Sequence, residues 1–305
     1  MEFHLPYVTD DPLLLMDTTR KQRTLAAAAV VEGFGYWSGE DVRVEFRPAR
    51  AGTGVVFVRS DLEGCPRVEA KVANRFDIPR RTSLRSGVAR VEMIEHIMAA
   101  LAGLGIDNCE IWTNRPEMPG CDGSSEPFVA ALDEVGIIIQ DAPRRRRVVR
   151  RPVRLGNDKC WVEAWPTTGD RAFLRYQLDY GDGPIGKQTF EISLAPDAFR
   201  RELAPCRTFM LKDEAAWLRT QGLGLRPTCR DLLVFDADGP IDNRLRFEDE
   251  CVRHKLLDMV GDLALAGCEL VGRFVAYRSG HRLNAELVKT LLDQSENGEG
   301  LRRCA

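Results

Sequence analysis

Val42, Val44 and Phe46 alternate with charged residues, the period-two pattern of a strand with one buried face. Strands are also predicted over 24–31 and 55–58. The glycine-rich turn Gly33-Phe34-Gly35-Tyr36-Trp37-Ser38-Gly39 lies between the first two. The period then changes. Met93, Ile94, Ile97, Met98 and Leu101 recur at helical spacing and predict a helix over 92–102. A strand over 109–113, a turn at Gly120-Cys121-Asp122-Gly123-Ser124-Ser125 and a second helix over 126–135 follow. Pro127 falls early in that helix, where its missing N–H is tolerated. Residues 1–20 read as an irregular leader.

Residues 140–151, with Pro143 and five arginines within 144–150, mark a boundary. Such a run is a solvated strand or linker, the alternative being contact with an anionic surface. Beyond it, strands are predicted over 161–164, 173–178, 188–192, 232–235 and 270–276, and helices over 212–222, 248–265 and 282–294. Each half has several strands followed by helices, an α+β layout and not alternating βαβ units. The expected domains are 1–143 and 144–305, with no visible sequence repeat between them.

Composition narrows the function classes. At 305 residues, 44% hydrophobic and 29% charged, the chain is an ordinary globular protein. A formal net charge of -3 gives no basic field for nucleic acid. No apolar run approaches the roughly 20 residues of a membrane span, and the N-terminus does not read as a signal peptide. A reducing cytoplasm is therefore expected. The nine cysteines, odd in number and without CxxC spacing, are expected to be free thiols.

Only four histidines occur, and three sit in polar motifs: Glu95-His96, Arg253-His254-Lys255-Leu256-Leu257-Asp258 and Ser279-Gly280-His281-Arg282-Leu283-Asn284. His254 and Asp258, four apart on a helix, project from one face, as two ligands of one metal would. The bland alternative is a helix-surface hydrogen bond. His96 offers a third ligand from another helix, its alternative being a packed core histidine. Two imidazoles and one carboxylate can hold zinc with a position open for water. Glu95 diverges by about 100° from His96, so it is not expected to ligate, but it can act as base toward that water. His281, expected on a loop, suits a general acid or electrostatic stabiliser. Asp262 would hold it protonated. Lys255 suits an anionic substrate group, and Thr208 and Phe209 suit an oxyanion donor and a stacking ring. The class implied is a metal-dependent hydrolase.

The run Glu95-His96-Ile97-Met98-Ala99-Ala100-Leu101-Ala102-Gly103-Leu104-Gly105-Ile106-Asp107-Asn108 resembles the signature of the UDP-3-O-acyl-N-acetylglucosamine deacetylases. So do Asp122-Gly123-Ser124-Ser125-Glu126-Pro127-Phe128, Arg207-Thr208-Phe209, Leu245-Arg246-Phe247-Glu248-Asp249-Glu250 and the two later histidine motifs. The resemblance covers about 20–292. It implies a zinc amidase of lipid A biosynthesis, removing acetate from UDP-3-O-(3-hydroxyacyl)-N-acetylglucosamine. It also implies two similar domains, each a sheet layered with helices, the helices meeting in the centre. A strand-helix-strand insert at about 209–235 would line an acyl tunnel. By the resemblance His96, His254 and Asp258 are zinc ligands, ferrous iron being the competitor. Glu95 is the general base, His281 with Asp262 the second acid-base group, Thr208 the oxyanion donor, Phe209 a stacking ring and Lys255 a phosphate contact. The expected state is a cytoplasmic monomer with no nucleic-acid partner.

Three departures stand out. Tyr36-Trp37 replaces a Leu-His pair in the glycine-rich turn, Arg226-Pro227 a double glycine, and Arg244 a glycine. They leave open a zinc amidase on another N-acetyl sugar nucleotide, or a non-catalytic nucleotide-sugar sensor. The latter conflicts with retention of every ligand and of Glu95.

Overall fold

The structure, a computed structural model, describes residues 20–299. Of the leader expected over 1–20, residues 1–19 lie outside the described residues. In chain order the first half contains β1 (Lys21–Leu25), β2 (Ala29–Phe34), β3 (Asp41–Pro48), β4 (Val55–Arg59), β5 (Arg67–Glu69), β6 (Arg75–Ile78), β7 (Arg81–Ser86), β8 (Ala89–Glu92), α1 (Glu95–Leu104), β9 (Cys109–Thr113), α2 (Glu126–Val135) and β10 (Ile137–Pro143). The second half contains β11 (Arg146–Val148), β12 (Val153–Asn157), β13 (Cys160–Trp165), β14 (Ala172–Asp179), β15 (Lys187–Ser193), α3 (Pro196–Glu202), β16 (Phe209–Leu211), α4 (Lys212–Thr220), β17 (Leu233–Asp236), β18 (Gly239–Pro240), α5 (Glu250–Ala264), β19 (Glu269–Tyr277) and α6 (His281–Glu299).

Two sheets share one topology. The first runs β2-β3-β9-β4-β5 and the second β12-β13-β19-β14-β15, with β11 also pairing β19. In each, the strand after the central helix lies between an antiparallel and a parallel neighbour. Thus β9 is antiparallel to β3 and parallel to β4, and β19 is antiparallel to β13 and parallel to β14. α2 packs on β2, α1 on α5, and α6 on β12 and β13. The layers are therefore sheet, helices, helices, sheet, the α+β sandwich expected from the sequence. The proposed division at 143/144 lies between β10 and β11.

The burial follows the pattern that made these elements. Val42, Val44 and Phe46 are buried along β3, and Leu174, Tyr176 and Leu178 along β14. On α1, Ile97, Leu101 and Leu104 are essentially inaccessible, each contributing about 1.5–3 kcal/mol by leaving water. The strand expected over 24–31 is two strands in different sheets. β1 pairs with β10 and β2 with β3, and the exposed Ala26, Ala27 and Ala28 make the crossing. The arginine run is part strand and part anchor, since Arg144 and Arg20 both pair with the buried Asp107. The described cysteines are free, and no helix among the described residues is long and apolar enough to cross a membrane.

Each sheet has one insertion before its central helix. β6-β7-β8 forms a three-stranded sheet before α1, and β16-β17-β18 another before α5. Both reach the same cleft, where Arg80 of the first pairs with Glu214 of the second.

Candidate metal centre

The chain turns into α1 through Met93, whose φ of +58° is a left-handed conformation seldom adopted by a side-chain-bearing residue. That turn sets Glu95 and His96 in the helix's first turn, facing α5. Gly261 lets α5 come close, since a Cβ there would lie 2.1 Å from the Glu95 carbonyl oxygen. The approach brings His96 against His254 and Asp258. Asp258 Oδ1 lies 3.7 Å from His96 Nε2 and 3.4 Å from His254 Nε2. One ligand atom from each of the three lies within 4.8 Å of the others, and all three side chains are buried.

The donor set suits a cation. Burial, then the neighbouring His254, pushes the His96 pKa down to about 3, and burial lowers that of His254. Both rings are thus neutral at pH 7. His254 Nδ1 donates to the Cys206 carbonyl at 3.1 Å, which leaves the lone pair on Nε2. Burial opposes ionisation of Asp258, but Lys255 beside it holds the carboxyl below the usual range. Asp258 Oδ2 accepts from Lys255 Nζ at 2.6 Å, whereas Oδ1 is buried with no hydrogen-bond donor among the described residues. A buried anionic oxygen facing a ring lone pair is costly without a positive charge between them. The residues present therefore fit a metal ion.

Beside this cluster stand two further buried titratable groups, Glu95 and His281. Glu95 is buried, and burial raises its pKa to about 7 against the opposing charge of His281. Its Oε2 accepts from the Thr82 backbone N–H at 2.9 Å, and its Oε1 lies 3.8 Å from His281 Nε2. His281 opens α6 and is not on a loop as expected. The helix starts at the residue after Gly280, so the ring takes a fixed place over α5. Burial would lower the His281 pKa, but Asp262 and then Glu95 carry it up to about 9. His281 Nδ1 donates to Asp262 Oδ2 at 2.9 Å, and Asn284 Nδ2 donates to the same oxygen at 2.8 Å.

Thr208 and Phe209 enter from the second insertion. The Thr208 backbone N–H donates to Gly123 at 2.7 Å, and Gly123, at φ +85°, leaves room that a Cβ would fill. The Phe209 ring lies edge-on to His254, centroids 6.2 Å apart. Both line a cavity of about 1810 Å³ that also contains Glu95, His96, His254, Asp258, His281 and Lys255. Its lining also includes the apolar side chains of Met93, Met210, Leu218, Leu232, Val234 and Ile241. Trp37 lines the same cavity, its backbone N–H donating to Glu117 and the Arg81 guanidinium 4.8 Å over its ring. Arg226 ties the insertion to the glycine-rich turn through Gly39 and Asp41, and stacks on Phe34.

Every site residue expected from the sequence thus lies at or beside one cleft. Three further residues had no assigned role. Arg207 makes a buried ion pair with Glu250 that anchors the strand start carrying Thr208. Asn284 steadies Asp262, and its place in the His281 motif was the available signal. Thr82 had no local signal at all.

A family profile described as UDP-3-O-acyl N-acetylglycosamine deacetylase matches residues 22–293. The chain is 40% identical over 283 residues to the UDP-3-O-acyl-N-acetylglucosamine deacetylase of Thermosynechococcus vestitus, covering 93% of this chain and 97% of that protein. It is likewise 40% identical over 273 residues to the protein of the same name from Brucella ovis, covering 89% of this chain and 95% of that one.

Proposed function

The chain belongs to the UDP-3-O-acyl N-acetylglycosamine deacetylase family, and from that premise we propose that its cleft removes the N-acetyl group of UDP-3-O-(3-hydroxyacyl)-N-acetylglucosamine in lipid A biosynthesis, with zinc held by His96, His254 and Asp258. The chain is an enzyme, an amide hydrolase. The observation that carries the site assignment is the convergence of three buried ligand atoms, one a carboxylate oxygen with no hydrogen-bond donor among the described residues, beside Glu95 and His281. Two imidazoles and a carboxylate are a donor set of catalytic zinc, and ferrous iron is its competitor. When bound, the ion supplies Lewis-acid polarisation of the acetamide carbonyl and acidifies water.

The protein's own groups divide the remaining work. Glu95 takes the proton of the attacking water through Oε1, since Oε2 is held by Thr82. As oxygen adds to the carbonyl carbon, the imidazolium of His281 and the Thr208 hydroxyl stabilise the growing oxyanion. The C–N bond then breaks. The amine leaves with a proton from His281 or Glu95, and acetate remains. Phe209 packs on the sugar, and the apolar side chains of the second insertion receive the acyl chain. Lys255 keeps two N–H donors beyond its bond to Asp258, and these face the anionic part of the substrate. We place the enzyme in the cytoplasm as a monomer.

The test is hydrolysis of the UDP-3-O-acyl substrate by the wild type and Glu95→Ala, with metal measured in both. Activity lost in the variant while about one zinc per chain remains supports the reading. A zinc-loaded wild type that leaves this substrate intact points to a different N-acetyl sugar nucleotide.

A further inference from the structure

We infer that Thr82 is the positioning residue that couples the base to the acid: one residue of the first insertion fixes Glu95 with its backbone and Asp262 with its side chain. This rests on the proposed deacetylase reading and goes beyond it, because nothing in the motifs points to Thr82.

All three polar groups of Thr82 are directed at the site. Its carbonyl accepts from the N–H of Ile94, the residue that caps α1, at 3.3 Å. Its N–H donates to Glu95 Oε2 at 2.9 Å. Its hydroxyl donates to Asp262 Oδ1 at 2.5 Å. The residue is essentially inaccessible, so no water competes for these bonds. Asp262 comes from α5, and Glu95 from α1. Thr82 therefore ties the two central helices together at the two carboxylates that matter.

The hydroxyl has a definable task. Asp262 Oδ2 already accepts from His281 Nδ1 and Asn284, while Oδ1 has Thr82 and only a longer 3.2 Å approach of His281 Nδ1. Without the hydroxyl, Oδ1 is free to draw the imidazole toward itself. A swing at Nδ1 displaces Nε2, the atom that stands 3.8 Å from Glu95 Oε1. The spacing between acid and base, where the reacting atoms must fit, is thus held from both ends by one residue. β7 and its neighbours form a short three-stranded sheet, a stiff mount for such a contact.

The experiment compares Thr82→Val, Thr82→Ala and Thr82→Ser with the wild type, all loaded with zinc. Each is assayed on UDP-3-O-acyl-N-acetylglucosamine, with metal content and melting temperature recorded. Loss of a hydrogen bond to a charged group predicts a fall in kcat of about 10- to 100-fold in the Val and Ala variants, with KM within about twofold. Ser, which differs from Ala by one hydroxyl, stays near wild type. In an Asp262→Ala background the Val substitution should cost nothing further, because the hydroxyl then has nothing to hold. Equal kcat for Ser and Ala, a loss confined to KM or to metal content, or the same loss with and without Asp262 would each overturn the inference. An inactive wild type would instead remove the proposed function, and that is seen before any variant is compared.

Discussion

Replacing Gly261 by alanine tests whether α1 and α5 meet as closely as the site requires. The added Cβ would stand 2.1 Å from the Glu95 carbonyl oxygen, 2.9 Å from its carbonyl carbon and 3.1 Å from its Cα. These are backbone atoms and cannot rotate away. Ordinary contact begins near 3.4 Å, so the helices must part locally by more than 1 Å. Alanine also brings better helix propensity, worth about 1 kcal/mol in a helix interior. Overpacking a buried contact costs about 1–3 kcal/mol and sometimes more, so the clash outweighs the propensity. The same parting separates His96 from His254 and Asp258, and moves Glu95 relative to His281. A misplacement of about 1 Å is enough for on the order of a 100-fold loss of rate. The expected variant folds, melts at lower temperature, holds zinc more weakly and loses about 100-fold in kcat. Thermal denaturation, metal analysis and steady-state kinetics read the three effects. A Gly261→Ala enzyme that melts higher than wild type with unchanged kcat would show that the helix contact is not as tight as described.

Rate against pH should be bell-shaped. Glu95 must be deprotonated to act as base, so activity rises through a pKa of about 7, and His281 must be protonated, so activity falls through about 9. A bound cation favours the charged carboxylate and disfavours the imidazolium, which moves both limbs to lower pH. His281→Gln should lose the falling limb, and a profile that keeps it removes His281 as the acid. Asp258→Asn should bind zinc at least tenfold more weakly by competition with a chelator, since it removes the anionic oxygen from the ligand set; unchanged affinity would exclude Asp258 as a ligand. Arg207→Ala leaves Glu250 buried and unpaired, a change that costs about 3–5 kcal/mol, so thermal denaturation should show a large fall; an unchanged melting temperature refutes the buried-pair argument.

The elements with a clean period were legible. β3 and the long helix α5 fall where alternation and helical spacing placed them, and α2 where the turn before it and Pro127 did. The clustering of the candidate ligands was legible because i,i+4 spacing on a helix is itself geometry, and His254 and Asp258 needed only a partner. What failed did so for physical reasons. Ala26, Ala27 and Ala28 carry no period, so the switch of the chain from one sheet to another was invisible. β7, Arg81–Ser86, is dominated by arginine, serine and threonine. Thr82 is buried against Asp262, the buried Ser83 hydroxyl has no hydrogen-bond partner among the described residues, and Leu84 is the one apolar residue of the strand, so alternation gave no signal. His281 follows a glycine, which reads as a loop, yet the helix begins at that residue.

The same strand order in both halves explains where the site lies, and the unequal loading of the two halves explains why it works. Repeating a sheet with one central helix brings α1 and α5 to the same depth, face to face, and needs only apolar residues at matching positions. That requirement leaves no sequence repeat to detect. The polar residues do not repeat. On the proposed roles, α1 brings the base and one ligand, α5 two ligands and the partner of the acid, and α6 the acid itself. Base and acid therefore come from opposite halves, so their separation is set by packing between the halves. Gly261 and Thr82 act on that packing, one by allowing approach and the other by fixing its distance. Thr82→Val and Gly261→Ala are therefore expected to be coupled. In the double variant the loss in kcat should be smaller than the product of the two single losses, because helices already parted no longer present the distance that the hydroxyl fixes. Strictly multiplicative losses would mean that the two residues act on the site separately.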